Sequence, residues 1–295
     1  MKQFDILIIG AGPAGLSAGL FAARGGAKTA IIENLVAGGQ INLTPEIENY
    51  PGYMKINGAE LGEKMTEQAI NAGCKIILDS LVSIDYENKI VTGDEDLYGY
   101  KALIISTGAS PRKLGVAREQ DFIGSGIHFC GLCDGNFYKD KNLIVVGGGN
   151  HAVEEAIYLS PIAKSVTMVV DVEKLTAHEA TIRQLDKNIK IYFNSKITEI
   201  LGDKKITGVM VNKETKIETD GIFVAIGRVP NIELAEGKLN LSAGGYITVD
   251  AHMQTNLPGV FACGDVIDKP VRQVVTACAD GVIAATFANR TIGTL

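Results

Sequence analysis

Cys130-Gly131-Leu132-Cys133, followed at once by Asp134, is the stretch of this chain best equipped for chemistry. Two cysteines with a two-residue spacer can close a small disulfide that is readily opened and re-formed. The spacer keeps the resolving thiol close, so its effective concentration is high. A lowered thiol pKa is common in such pairs, because the thiolate is the attacking species. Asp134 is also suited to cap a helix beginning at such a turn. His128, two residues before Cys130, could tune the thiol, but a lone histidine near a turn reads as a bystander. A zinc or iron–sulfur site would need a second cysteine pair at ligand spacing. Cys74, Cys263 and Cys278 are isolated. They read as small buried residues, and no metal is expected.

Two glycine-rich turns flank the dithiol. Phe4–Gly10 is an apolar run suited to a buried parallel strand. Gly10-Ala11-Gly12-Pro13-Ala14-Gly15 follows, then an Ala/Leu-rich helix to about Arg24 and a strand Thr29–Ile32 ending at Glu33. Gly10 allows the tight turn, Gly12 lets backbone approach a pyrophosphate, and Gly15 lets helix and strand pack closely. The helix N-terminus supplies amide N–H groups to the phosphates. Glu33 is placed to accept from a ribose 2′-OH. The same design recurs downstream. Asn142–Val146 is a strand, Gly147-Gly148-Gly149-Asn150-His151-Ala152 is the turn, a helix runs from Val153, and Val166–Val170 ends at Asp171. Two nucleotide-binding domains of the doubly wound α/β type are therefore expected. Nucleotide fold, dithiol, nucleotide fold is the plan of a flavin enzyme that passes electrons to a disulfide.

The 295 residues suffice for two ordinary domains, and 46% hydrophobic with 21% charged residues suits a soluble globular protein. A net charge of −6 gives no general attraction for nucleic acid or anionic lipid. No secretory signal opens the chain, five cysteines are too few for a secreted framework, and the cytoplasm is the default. Residues 7–27 are long and apolar enough to span a bilayer, but the glycine spacing and Pro13 favour strand–turn–helix over a membrane span. The apolar Gly259-Val260-Phe261-Ala262-Cys263-Gly264-Asp265 reads as a strand returning to the first sheet. The expected division is 1–112 with 241–295 for the first domain and an inserted 113–240 carrying the dithiol. Ser106–Ala109 and Ala225–Gly227 are the crossing points.

The segments GAGPAG, GGQINLTPEIENYPG (38–52), STGASPRKLG (106–115), CGLCDG, GGGNHAVEEAIYLS (147–160), FVAIGRVPN (223–231) and FACGDVIDKPVRQVVTACADG (261–281) resemble low-molecular-weight thioredoxin reductases nearly end to end. The resemblance implies two domains of the pyridine-nucleotide-disulfide oxidoreductase type, FAD, a homodimer and thioredoxin as substrate. It implies that Gly38, Gly39, Gln40, Asn49, Thr107 and Gly108 lie on the flavin side, with Asp265 on the ribityl chain. Arg272, Gln273 and Val274 would approach the isoalloxazine. Cys133 would face the flavin, Cys130 would attack the substrate disulfide, and Asp134 would manage the thiol proton. Gly131-Leu132 departs from the family's usual Ala-Thr or Ala-Val.

The second nucleotide domain lacks the family's HRRxxxR phosphate clamp. Val170 stands at the His position, and Asp171, Val172 and Thr176 at the three Arg positions. A carboxylate roughly 5 Å from a phosphate opposes it by about 3 kcal/mol per unit charge at an effective dielectric of about 20. Lost arginines remove charge-assisted hydrogen bonds of roughly 1.5–3 kcal/mol each. NADPH is disfavoured on both counts. Gly147, Gly149, Ala152 and Asp171 remain suited to NADH. The lost clamp also resembles the ferredoxin-dependent flavin thioredoxin reductases, which makes ferredoxin the preferred donor. Two other classes stay open: a ferredoxin–NADP reductase-like enzyme and a flavin-binding redox sensor.

Overall fold

The computed structural model describes residues 1–44, 46–235 and 237–294. The chain divides into two compact units, Met1–Ser110 with Val229–Leu295, and Pro111–Arg228. Each is an α/β unit built on a five-stranded parallel sheet.

In the first unit the strand order is Val260–Ala262, Ala102–Ile105, Ile6–Ile9, Thr29–Glu33, Lys75–Leu78. Ile6 to Ile9 pair in register with Thr29 to Ile32 on one side and Ala102 to Ile105 on the other. These strands are apolar throughout because both faces are covered. Ile6, Ile8, Ile31, Ile104 and Phe261 point into one core, and Leu7, Ile9, Ile32, Leu103 and Val260 into the other. The first strand is shorter than Phe4–Gly10. Phe4 donates its N–H to Gly99 O, outside the parallel ladder. Lys2–Gln3 begins a small four-stranded sheet with Leu97–Gly99, Ile90–Gly93 and Leu81–Asp85.

The fingerprint helix Pro13–Arg24 packs along the C-terminal helix Val274–Ile292. Small residues make the approach close: Ala14, Ala18 and Ala22 face Ala277, Ala284, Ala285 and Ala288 in one core. A Cβ on Gly281 would run into the backbone oxygen of Ala14.

The second unit repeats the plan with Ile127–His128, Gly221–Val224, Asn142–Val146, Ser165–Val169 and Lys190–Tyr192 in parallel. Its turn leads into the helix Asn150–Leu159, which starts three residues earlier than Val153 because Gly149 takes the N-cap position. A three-stranded antiparallel sheet, Ile197–Gly202, Ile206–Val211 and Thr215–Glu218, belongs to this unit. The return to the first unit comes at Val229 rather than at 241. Asn231 explains the difference. Its N–H bonds to Gly108 O, its Nδ2 to Thr107 O, and its own carbonyl accepts from Thr107 Oγ1. Ala235 and Leu239 then enter the first unit's core. Among the described residues no helix is long and apolar enough to cross a membrane, and residues 7–27 form strand, turn and helix instead.

Gly281→Ala should lower stability by about 1–3 kcal/mol, because neither backbone can retreat without unpacking the helix pair. Chemical denaturation of the flavin-loaded and flavin-free protein measures the effect in both states.

Candidate active site

Cys130 and Cys133 form a closed disulfide, with Cα atoms 5.3 Å apart. The pair brackets a single helical turn, Gly131–Asp134, that follows the strand Ile127–His128. Cys130 itself occupies the N-cap. Its Sγ accepts the Cys133 N–H at 3.2 Å, and its carbonyl accepts the Asp134 N–H at 3.0 Å. Asp134 therefore ends this turn rather than capping it, and its side chain makes no capping bond to the 3-10 turn Gly135–Tyr138 that follows. Both cysteines are half-buried, and Leu132 between them is exposed.

His128 has a partner at each ring nitrogen. The ring is 5% exposed. Its Nδ1 lies 3.2 Å from Asp134 Oδ2 and its Nε2 lies 2.8 Å from Tyr138 Oη. Phe223 stacks on one side with centroids 5.4 Å apart. Burial, with the charges of Asp134 and Asp220, pushes the Tyr138 phenol up to about 12. Asp134 is buried, and its Oδ1 has no hydrogen-bond partner among the described residues.

Glu155 escaped the motif reading. It lies on the helix Asn150–Leu159, on the inward face with Ala152, Ala156 and Leu159. Its Oε2 accepts the Gly131 N–H at 2.5 Å, and its Oε1 lies 3.6 Å from His151 Nε2. A Cβ on residue 131 would overlap Glu155 Oε2, so the glycine in place of the family's alanine makes room for the carboxyl. Burial pushes the Glu155 carboxyl up to about 7, and the nearby charges of Asp134 and Glu154 add to it. The available sequence signal was a glutamate on an otherwise apolar helix face.

In the first unit, the structure gathers the other expected residues around the first turn. Gly10 has φ 96°, and Gly12 is the N-cap of a helix whose first residues are Pro13, Ala14 and Gly15. Glu33 braces the turn: Oε2 accepts the Ala11 N–H at 2.8 Å, and Oε1 accepts from Asn34 and Leu35. Gly38 donates to Ala11 O, and a Cβ on Gly39 would come 3.0 Å from Gly12 Cα. Gln40 Nε2 donates to Ala109 O at 2.6 Å. Asn49 Nδ2 donates to Gln273 Oε1 at 3.3 Å. Thr107 and Gly108 are tied to Asn231, as above. Asp265, in the 3-10 turn Gly264–Val266, is 4.0 Å from Lys269 Nζ, which also binds Asp280 at 2.6 Å. Arg272 donates to the Lys269 and Ile267 carbonyls and lies over Tyr246, 4.1 Å from the ring centroid. Gln273 caps the C-terminal helix reciprocally with Thr276, and Val274 begins that helix. Lys269, Asp280, Tyr246 and Asn231 are the members of this set that motif spacing did not single out.

This set fits a dinucleotide-type cofactor. The space beside Gly12 is open where a Cβ would stand, next to a free helix N-terminus. Arg272 Nε is buried and has no hydrogen-bond partner among the described residues, so a donor is available for an acceptor on a bound group.

In the second unit, Gly147 has φ 131°, Gly149 caps the helix and Ala152 is fully buried beneath the turn. Val170 is also buried, against Gly148. Asp171, Val172 and Thr176 are exposed. The segment folds back on the turn: Thr176 N–H donates to Gly148 O at 2.8 Å and His178 N–H to Asn150 Oδ1 at 2.7 Å. Cys74 and Cys263 are buried as expected, whereas Cys278 is only half-buried.

The Glu155 carboxyl has a raised pKa in the folded state, so its protonated form stabilises the fold. That stabilisation is complete below about pH 4.5 and is lost as the pH climbs to about 7, to a total of up to roughly 3 kcal/mol. Glu155→Gln should remove this component. Denaturant titrations from pH 4.5 to 8 should give a flatter stability profile for the variant than for the parent chain.

A family model described as pyridine nucleotide-disulphide oxidoreductase matches residues 4–281. The thioredoxin reductase of Peptoclostridium acidaminophilum is 43% identical, over 97% of this chain and 96% of that one. The solved thioredoxin reductase of Streptococcus pyogenes superposes with a TM-score of 0.91 at 38% identity, covering 100% of this chain and 99% of that one. A solved ferredoxin-flavin thioredoxin reductase from Clostridium acetobutylicum is 31% identical with a TM-score of 0.55 and full coverage of both chains. The chain therefore belongs to the pyridine nucleotide-disulphide oxidoreductase family and, within it, to the low-molecular-weight thioredoxin reductases.

Proposed function

We propose that this chain is an FAD-dependent reductase of thioredoxin or a thioredoxin-like protein, with ferredoxin rather than NADPH as its electron donor. The observation that carries the reductase is the Cys130–Cys133 disulfide on a one-turn helix, with a buried carboxylate at the end of that turn. Gly10, Gly12, Pro13, Ala14 and Gly15 would hold the pyrophosphate and Glu33 the ribose. Asp265 and the stretch from Arg272 to Val274 would hold the flavin end. Bound FAD supplies the electron pair that opens the Cys130–Cys133 disulfide, and it can take up that pair one electron at a time.

The chain's own residues then perform the exchange. Cys130 as a thiolate attacks one sulfur of the partner disulfide, and a mixed disulfide forms. The Cys133 N–H, which already points at Cys130 Sγ, favours the charged sulfur. Cys133 attacks the mixed disulfide, closes the Cys130–Cys133 bond and releases the partner's second thiol. Asp134 carries the proton between the thiols. One disulfide closes as another opens, and two hydrogens pass to the partner.

The donor reading rests on the second unit. The end of the strand Ser165–Val169 leads to Asp171, Val172 and Thr176 where a 2′-phosphate would need arginines, and Val170 is packed inward. The Clostridium acetobutylicum neighbour, whose name includes ferredoxin, gives further support. The second reading is NADH as donor. It is favoured by the intact turn Gly147, Gly149 and Ala152 with Asp171 at the strand end.

Anaerobic bleaching of the flavin by reduced ferredoxin, NADH and NADPH in parallel separates these readings. Ferredoxin should reduce the flavin rapidly, and micromolar NADPH at least about a hundredfold more slowly. Rapid bleaching by NADPH would sink the donor proposal, and rapid bleaching by NADH alone would select the second reading. Cys130→Ser should bleach normally yet lose thioredoxin turnover by about a thousandfold or more.

A further inference from the structure

Taking Asp134 as the proton carrier of the dithiol, we infer that His128 is its positioning residue: the imidazole fixes Oδ2 of Asp134 and leaves Oδ1 to exchange a proton with the thiols.

The distances around the ring fit one hydrogen-bond order. Tyr138 keeps its phenolic proton at neutral pH, because burial pushes it up to about 12. The phenol can therefore donate to His128 Nε2, 2.8 Å away. A neutral imidazole that accepts at Nε2 carries its proton on Nδ1. That N–H faces Asp134 Oδ2 at 3.2 Å. Phe223, stacked at 5.4 Å, and Tyr138, edge-on at 5.1 Å, leave the ring little freedom to turn. The chain is thus Tyr138 to His128 to Asp134, and it ends at one buried oxygen, Oδ1, without a hydrogen-bond partner. A buried oxygen of this kind is costly unless a donor reaches it. Cys133 precedes Asp134 directly and Cys130 lies one turn back, so the thiols that the exchange creates arise on the same short helix.

Three groups face Asp134 from other elements. His128 comes from the strand Ile127–His128 and Tyr138 from the 3-10 turn. Glu155 comes from the helix Asn150–Leu159, and its carboxyl feels the Asp134 charge. Asp220 acts on the phenol of Tyr138. Removing the imidazole takes away the donor that fixes Oδ2 of Asp134. The proton path balances. The Cys133 thiol gives its proton to Asp134 as it attacks the mixed disulfide, and Asp134 passes that proton to the departing partner thiolate.

The test is single-turnover reduction of oxidised thioredoxin by holoenzyme that has been stoichiometrically reduced with dithionite, from pH 5.5 to 9. This bypasses the natural donor. His128→Ala should slow the exchange about tenfold. His128→Asn, whose amide N–H can replace Nδ1–H, should restore most of the rate. Asp134→Asn should slow it about a hundredfold. The protein has four histidines, so the Nδ1–H resonance of His128 can be assigned by substitution. It should shift in Asp134→Asn. Thermal melts show whether each variant is folded. If Asp134→Asn is slow while His128→Ala keeps the parent profile, the positioning role falls and the proton carrier stands. If His128→Ala and His128→Asn are equally slow, the ring is only structural and the inference fails. If Asp134→Asn reacts at the parent rate, the reading of Asp134 fails and takes the role of His128 with it.

Discussion

Taking a carboxylate out of water costs several kcal/mol unless donors replace the water. The dithiol turn sits between two carboxylates buried this way, Asp134 and Glu155, and much of the local structure answers that constraint. His128 supplies the donor for one and the Gly131 backbone for the other. Tyr138 and Phe223 hold His128 in place. A side chain on residue 131 would meet the Glu155 carboxyl as it now stands. The two acids solve the problem differently. Glu155 shifts toward its neutral form, whereas Asp134 keeps one oxygen held and one open.

The two glycine turns show how one backbone design is put to different uses. In each, a positive-φ glycine ends a buried strand and another caps a helix. In the first, the acid at the end of the second strand reaches back and ties the turn together through the Ala11 N–H. In the second, the acid remains exposed and the tie comes from Thr176 and His178 further along the chain. The turn is therefore retained by packing as well as by any ligand. Its glycines alone are weak evidence for a bound nucleotide.

What could be read from the chain in advance follows the range of each interaction. Strand, turn and helix at Ile6–Arg24 and Asn142–Leu159 are specified within some twenty residues, so their spacing sufficed. The dithiol was equally local. His128 looked incidental because Tyr138 and Phe223, which hold its ring, lie 10 and 95 positions away. Glu155 was hidden for the same reason, since its partner Gly131 is 24 residues distant. The return to the first unit was misplaced by the length of Val229–Asn240. That segment has no strong periodicity, and it is fixed by Asn231 bonding to residues 124 positions earlier.

The inserted topology has a consequence for the nascent chain. Pro111–Arg228 is continuous, so every strand of its sheet has left the ribosome while the first unit still lacks the edge strand Val260–Ala262 and the helix Val274–Ile292. Until that helix emerges, Ala14, Ala18 and Ala22 lack Ala277, Ala284, Ala285 and Ala288 as partners. The dithiol unit can thus complete its fold during synthesis, whereas the fingerprint that opens the chain must wait for its end. The helix Pro13–Arg24 is made long before the helix Val274–Ile292 that completes its surroundings.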